Sequence, residues 1–413
     1  MFEPEPVFAD PSAVLRSTAT IRERSKNIAD AVGAGSSPHF TLDRSRMDSV
    51  AARVEYATRA AYPSLRIPYH SRWRHFESGG VDRKLHIEAR LRGRSIAEHA
   101  RARIDLTLVS VLLDAGAGHA WGYIETESGQ RFSRSEGLGV ASFRAVASGA
   151  FSSDPNDPIR VDGKSLQQMD ADKLATLFQV DEFNPLVGLE GRAQLMRRLG
   201  DALLAAPDVF GRDGRPGGLY DSISVLGQRT QIDADEVLGA LLLYLSPIWL
   251  TESRLDGVSL GDVWKHPAAG GDGASAGWVP FHKLSQWLTY SLLEPFEWAG
   301  IEVTGLDRLT GLPEYRNGGL FLDSGVIVPR DAALSERSLK TSDEVVVEWR
   351  ALTVALIDEL APMVRRRLSL TEVQMPLACI LEGGTWAAGR AIARELREGG
   401  NPPLQIESDG TVF

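Results

Sequence analysis

The sequence predicts a mainly α protein with a small β component. Three observations carry this. Apolar residues recur at helical spacing over several long windows, helix starts of the Ser/Thr-x-x-Glu/Gln kind occur at Ser133/Glu136, Thr341/Glu344 and Thr371/Gln374, and alternating stretches are few and short. In chain order, residues 12–60 give two helical segments separated by "GAGSSPHF", and the second stops at "AAYPSLRIP", where two prolines forbid continuation. A dense mix of Arg, His and aromatic residues follows in "YHSRWRHFESGGVDR". Residues 95–118 form the next helix, with Ile96, Ala100, Ile104, Leu108 and Val111 on one face and glycines ending it. "HAWGYIE" and "QRFSR" around "TESG" predict a hairpin, and the rest is mostly helical. "FGRDGRPGG" (210–218) and "HPAAGGDGASAG" (266–277) have loop compositions, the second either a lid or a plain loop. The end of the chain predicts a short hairpin about Asp409-Gly410. Two regions are expected, 1–94 with the basic and aromatic loop and 95–413 with the hairpin, or one continuous unit. No internal repeat is visible.

The chain has 413 residues, 43% hydrophobic and 24% charged, which is the composition of a folding globular chain. A net charge of −10 and a pI near 5.4 argue against a protein that coats nucleic acid, while leaving room for a local basic pocket that takes one phosphate. Cys379 is the lone cysteine, so no intramolecular disulfide forms and a reducing compartment is expected. The start "MFEPEPVFADP" lacks the basic and apolar regions of a signal peptide, and no apolar run reaches the ~18 residues a membrane span needs. The expectation is a soluble cytoplasmic protein without membrane or nucleic-acid partners.

Several chemistries are set aside. The eight histidines never form His-Glu-x-x-His and one cysteine cannot build a thiolate zinc site, so no metal is expected. "GAGHAWG" has the wrong glycine spacing for a dinucleotide site, and neither a Walker lysine motif nor a Gly-x-Ser-x-Gly elbow is present, so no cofactor is expected. What remains is polar groups set in apolar helices. In "VPFHKLSQWLTYSLLEPFEWAG", Phe281, Leu284, Leu288 and Leu292 form an apolar stripe, while Lys283, Gln286 and Tyr290 share another face. That face is either solvated or a cleft wall with Lys283 on a phosphate; His282 beside it suits either. Glu348 falls on an apolar face and needs a partner, either a distant arginine such as Arg316 or a ligand. Glu136 either completes a capping box with Ser133 or belongs to a site. Trp121, Tyr123 and Glu125 alternate on the predicted hairpin, as core or as pocket wall. "LEGGTWAAGR" (381–390) interrupts a helix with two glycines. The stretch "LTGLPEYRNGGL" places Glu314, Tyr315, Arg316 and Asn317 in an apolar context. Cleaving a glycosidic bond builds positive charge on the sugar, which a carboxylate such as Glu314 stabilises or answers with activated water. Arg316 and Lys283 suit a 5′-phosphate.

With these stretches in view, the chain resembles the uracil-catabolism protein four family end to end, through "IPYHSRWRHFESGGVDR", "VSVLLDAGAG", "RSEGLGVAS", "FQVDEFNPLVGLEGR", "VPFHKLSQWLTYSLLEP", "LTGLPEYRNGGL", "VVEWRALTVALIDELA" and "LEGGTWAAGR". The resemblance implies a place in a pathway that degrades uracil through its nucleotide and a ribosylurea intermediate. "FHKLSQWL", "LDRLTGLPEYRNGGLFLDSGVI" and "VVEWRALTVALIDEL" are also similar in order and spacing to segments of the queuosine-salvage nucleotide glycosylases. That similarity implies a helical, DNA-glycosylase-like architecture. Their counterpart of Glu314 is an aspartate beside the same Tyr-Arg pair, so this chain keeps the carboxylate and lengthens its reach. The implied activity is N-glycosidic hydrolysis of a small phosphorylated ribosyl substrate, ribosylurea 5-phosphate or a close ureide. Glu314 is then catalytic, Lys283 and Arg316 hold phosphate, and Gln286, Tyr315 and Asn317 are donors to the leaving urea. A non-catalytic carrier of a pathway intermediate and a ureide amidohydrolase are the alternatives.

Overall fold

A computed structural model describes residues 11–407; the hairpin expected about Asp409-Gly410 lies outside the described residues. The helices that build the site, in chain order, are α1 (Thr18–Gly33), α2 (Met47–Ala61), α3 (Ile96–Leu112), α4 (Arg134–Ala147), α5 (Leu189–Leu204), α6 (Ala234–Leu245), α7 (Lys283–Glu297), α8 (Tyr315–Asp323), α9 (Glu344–Leu368) and α10 (Trp386–Leu396). Among the described residues the strands form only two-stranded ladders. β1 (Phe40–Leu42) follows the loop between α1 and α2 and pairs antiparallel with β4 (Ile327–Pro329), Thr41 facing Val328. β2 (Tyr123–Ile124) and β3 (Arg131–Phe132) form the expected hairpin. The protein is mainly α with a small β component, as the sequence predicts.

The 25-residue α9 is the spine. It is apolar on nearly every side, so it is buried on nearly every side, with α1 and α2 packed along it and α8 crossing it. α7 plays the same part for the other half of the core, lying on α3 and α6. α8 sits where these layers meet α10, and two glycines make that possible. A Cβ on Gly318 would lie 2.7 Å from the Trp349 ring of α9, and one on Gly389 would lie 2.1 Å from the Arg316 carbonyl oxygen of α8. One cluster of buried apolar side chains holds residues from both sides of position 94, Val54 and Leu108 among them. No helix of the described residues is long and apolar enough to cross a membrane.

The helix starts depart from the expected boxes in instructive ways. Ser133 sits at the cap of α4 but bonds no backbone N–H, and Glu136 instead pairs with Arg390 at 2.7 Å. A charge-assisted bond outweighs a neutral cap. α9 begins after Asp343, whose Oδ2 accepts from Lys340 N, and Glu344 turns to His39 rather than to Thr341. Thr371 and Gln374 do exchange both capping bonds, at 2.9 and 3.3 Å, but within a turn ahead of the Leu377–Ile380 helix. Ile96 is 65% exposed, because α3 enters the core only from its second turn, and thereafter it is buried all round. The 266–277 loop lies against α1, with Asn27 Nδ2 donating to Ala269 O at 2.9 Å, and does not border the cavity described next.

Candidate functional site

The site begins at the N-terminus of α7. Its organiser is Asp262, a buried aspartate in the stretch before the helix. Its backbone oxygen accepts from Phe281 N and His282 N, its Oδ2 accepts from Lys283 N at 2.9 Å, and both carboxylate oxygens take the Arg350 guanidinium at 2.7 Å. Burial alone would raise the Asp262 pKa; the Arg350 charge and bonds bring it below the usual value. His282, at φ +46, turns the chain into the helix and bonds Leu15 O at 2.8 Å through Nε2. Lys283 is therefore delivered as the first residue of α7. Its ammonium has no hydrogen bond or ion pair among the described residues. Burial lowers its pKa, with the Glu314 and Asp114 charges opposing.

Gln286 and Tyr290 are fully buried, which overturns the solvated-face reading, and they also stand outside the cavity. Gln286 brackets Thr310, donating to its Oγ1 at 2.6 Å and accepting from its N at 2.9 Å, and Tyr290 OH donates to its carbonyl at 2.9 Å. Both side chains fix the strand-like run that leads to Glu314.

Glu314 is the N-cap of α8. Its Oε2 accepts from Arg316 N at 2.7 Å and its Oε1 from Asn317 N at 2.5 Å. The positive end of the helix favours an anion here, yet burial wins and raises the carboxyl pKa above the usual 4.5, against the pull of those two bonds and of Lys283. Asn317 spends its amide nitrogen on Leu312 O at 3.0 Å. Arg316 stacks on the Tyr315 ring at 4.8 Å and donates Nη1 to Gly400 O at 2.8 Å.

Lys283, Glu314, Tyr315 and Arg316 line one cavity of about 390 Å³. Its other walls come from the loop after α3 (Asp114 to His119), from His70 and His75, from Arg134 and Ser135 of α4, from Trp287 and Trp386, and from the 400–406 segment. His70 lies between Trp287 and Trp386, 6.3 and 6.5 Å between ring centres, and its Nδ1 meets Glu382 Oε2 at 2.8 Å. Tyr62 OH donates to the other Glu382 oxygen at 3.0 Å. His75 stands edge-on to Trp287, and burial together with the neighbouring Arg72 charge pushes its pKa down to about 4. Asp114 pairs with buried Arg72 at 3.3 Å. Arg134, at φ +55, donates to Gly399 O at 2.9 Å; burial and then the Arg316 charge lower its pKa.

Other expected residues lie elsewhere. Glu348 is buried as anticipated, but its partners are Ser37 Oγ at 2.5 Å and His266 Nε2 at 3.2 Å, not Arg316, which α8 carries toward Gly400. Trp121 is core, with Nε1 donating to Phe178 O at 3.0 Å, and Glu125 is closed off by Arg83 and Arg144. Glu136 sits behind the cavity wall between Arg390 and His75. Sequence reasoning missed His70, His75, Asp114, Arg134, Trp287 and Trp386. The density of Arg, His and aromatic residues in "YHSRWRHF" was the available signal for the first two. Among the described residues no group of three or more His, Cys, Asp and Glu side chains has metal-binding geometry.

Over residues 14–413 the chain matches the model of a family described as "Protein of unknown function (DUF1688)". The chain belongs to this family. Two curated relatives of this DUF1688 chain are each 40% identical to it. "Uracil catabolism protein 4" of Lachancea kluyveri matches over 98% of this chain and 99% of its own length. "Protein urg3" of Schizosaccharomyces pombe matches over 97% and 98% respectively. In this DUF1688 chain, then, one cavity combines an oriented buried carboxylate, an ammonium without a hydrogen-bond partner among the described residues, two arginines and a carboxylate-bound histidine.

Proposed function

We propose that the protein is an N-glycosidase of uracil catabolism that hydrolyses ribosylurea 5-phosphate, or a closely related ribosyl ureide, to urea and ribose 5-phosphate. The relative named "Uracil catabolism protein 4" supports the pathway. The observation that carries the reaction is that Glu314 and Lys283 line the same cavity and interact electrostatically there. Glu314 is held by two backbone N–H groups, one on each oxygen, so its remaining lone pairs point from a fixed carboxylate. It takes a proton from the attacking water and stabilises the oxocarbenium-like sugar. Lys283 and Arg316 take the phosphate, and Arg134, whose guanidinium feels the Arg316 charge, adds a second arginine at that end. The cavity volume falls within the range of small-ligand sites.

Purified protein incubated with ribosylurea 5-phosphate is expected to release urea and ribose 5-phosphate, and Glu314→Gln to lower the rate by about 10²- to 10³-fold. Saturable calorimetric binding without urea would make the protein a carrier. Ammonia with the ribosyl bond intact would make it an amidohydrolase. Either result sinks the glycosidase reading.

A further inference from the structure

We propose that His70 is the proton donor to the departing ureide nitrogen, with Glu382 as its positioning residue. The proposal rests on the N-glycosidase reading and supplies the group that reading lacks. Urea leaving as an anion is a strong base, so cleavage of the carbon–nitrogen bond needs a proton placed on nitrogen. Two of the donors expected from sequence are spent elsewhere: Gln286 on Thr310 and Phe281, and Asn317 on Leu312.

The geometry favours His70 among the donors that line the cavity. Lys283 and Trp287 stand one turn apart on the same face of α7, about 6 Å along the axis. Glu314 interacts with Lys283 at one end of that turn, and His70 packs on Trp287 at the other. Glu314 and His70 thus reach the same cavity from different elements, as a base and an acid that flank one scissile bond must. Tyr315, by contrast, packs its ring under the Arg316 guanidinium, at the end assigned to the phosphate.

The His70 ring is oriented as an acid requires. Nδ1 is fixed on Glu382, while Nε2 has no partner among the described residues and is open to the cavity. Glu382 reaches the ring from an irregular place. It lies in the Leu381–Thr385 π-turn joining the Leu377–Ile380 helix to α10, a local widening that recurs at functional sites in proteins. Burial would push the Glu382 carboxyl up, but the His70 and Tyr62 bonds bring it below the usual range, so it stays anionic and holds the His70 ring by Nδ1.

In the step itself the C1′–N bond breaks and its electron pair goes to nitrogen, which takes the proton from His70 Nε2. Water oxygen bonds C1′ and gives one proton to Glu314. Glu314 then releases that proton to solvent and His70 takes one up, so the net change is addition of one water.

The test compares two substrates, ribosylurea 5-phosphate and 4-nitrophenyl ribofuranoside 5-phosphate, whose leaving group departs without a proton. His70→Gln is expected to lower kcat/KM on the ureide about a hundredfold and to leave the nitrophenyl substrate within about threefold of wild type. Glu382→Gln should show a smaller loss with the same dependence on leaving group, which a structural role would not produce. If His70→Gln fails to fold, Glu382→Gln decides alone. Equal losses on both substrates, no loss on the ureide, or the same pattern in Tyr315→Phe in place of His70→Gln would overturn the proposal while the wild-type urea release keeps the glycosidase reading. A wild type that cleaves neither substrate, or only the nitrophenyl one, removes the ureide reading and this proposal with it.

Discussion

Glu314 serves the fold and the chemistry with the same two oxygens. As an N-cap it satisfies Arg316 N and Asn317 N, and as a buried anion it is held above the usual carboxyl range. A carboxyl whose native pKa is raised binds its proton more tightly folded than unfolded, so its ionisation at neutral pH costs stability. Glu314→Gln removes that charge but turns an amide NH2 toward one of the two backbone N–H groups and loses a buried bond, so its melting temperature at pH 7, measured by calorimetry, is expected to fall modestly while its activity collapses. The same shift sets the acid side of the pH profile. On the proposed mechanism activity needs Glu314 ionised, so the acid limb of kcat/KM is expected to fall at a pH above the ordinary carboxyl value of 4.5. Glu314→Gln should flatten the acid limb of its residual activity, and an unchanged limb would assign that titration to another group.

At the scale of elements, α8 is the part that cannot be moved. Its first turn carries Glu314 and Arg316, and it is pressed against α10 at Gly389. Gly389→Ala puts a methyl group into the Arg316 carbonyl, so α8 and α10 must part. A loss of about 1–3 kcal/mol is expected in denaturant unfolding, with a larger fractional loss of activity than of stability, because Arg316 shifts in the cavity. How much of this was legible in the sequence differs from element to element. The helices announced themselves through apolar spacing, and Lys283 and Glu314 through their placement beside apolar runs. Gln286 and Tyr290 were misplaced because a one-dimensional pattern shows which face of α7 is polar but not that Thr310 lies against it. Glu348 was foreseen as buried, yet its partners Ser37 and His266 come from loops far away in the chain, beyond any periodicity. His70 and Glu382 are 312 positions apart, so their pairing is a property of the fold alone.

Across the whole molecule, charge is unevenly used. The chain carries a net −10, yet Arg134, Arg316 and Lys283 line one cavity, with Arg390 next to Arg134 outside it. The three cations of the cavity outnumber the Glu314 and Asp114 carboxylates of the same wall, an excess of positive charge that would favour a phosphorylated ligand over a distance that salt shortens. Raising ionic strength from about 0.05 to 0.5 M is expected to raise KM for ribosylurea 5-phosphate several-fold. The dephosphorylated substrate should respond little, and equal responses from the two would place the phosphate away from these cations.

Residues near the carboxyl end close part of the cavity. Gly399 and Gly400 offer their carbonyls to Arg134 and Arg316, Leu404 and Ile406 form part of the wall, and Ile406 pairs with Leu339 in a short parallel ladder. The arginines proposed to meet the phosphate are thus the same ones that hold this segment down, which would make the segment a clasp whose grip reports occupancy. Ribose 5-phosphate should slow both proteolysis and amide exchange over residues 399–406, and Arg316→Lys, which cannot reach in two directions at once, should uncouple the two.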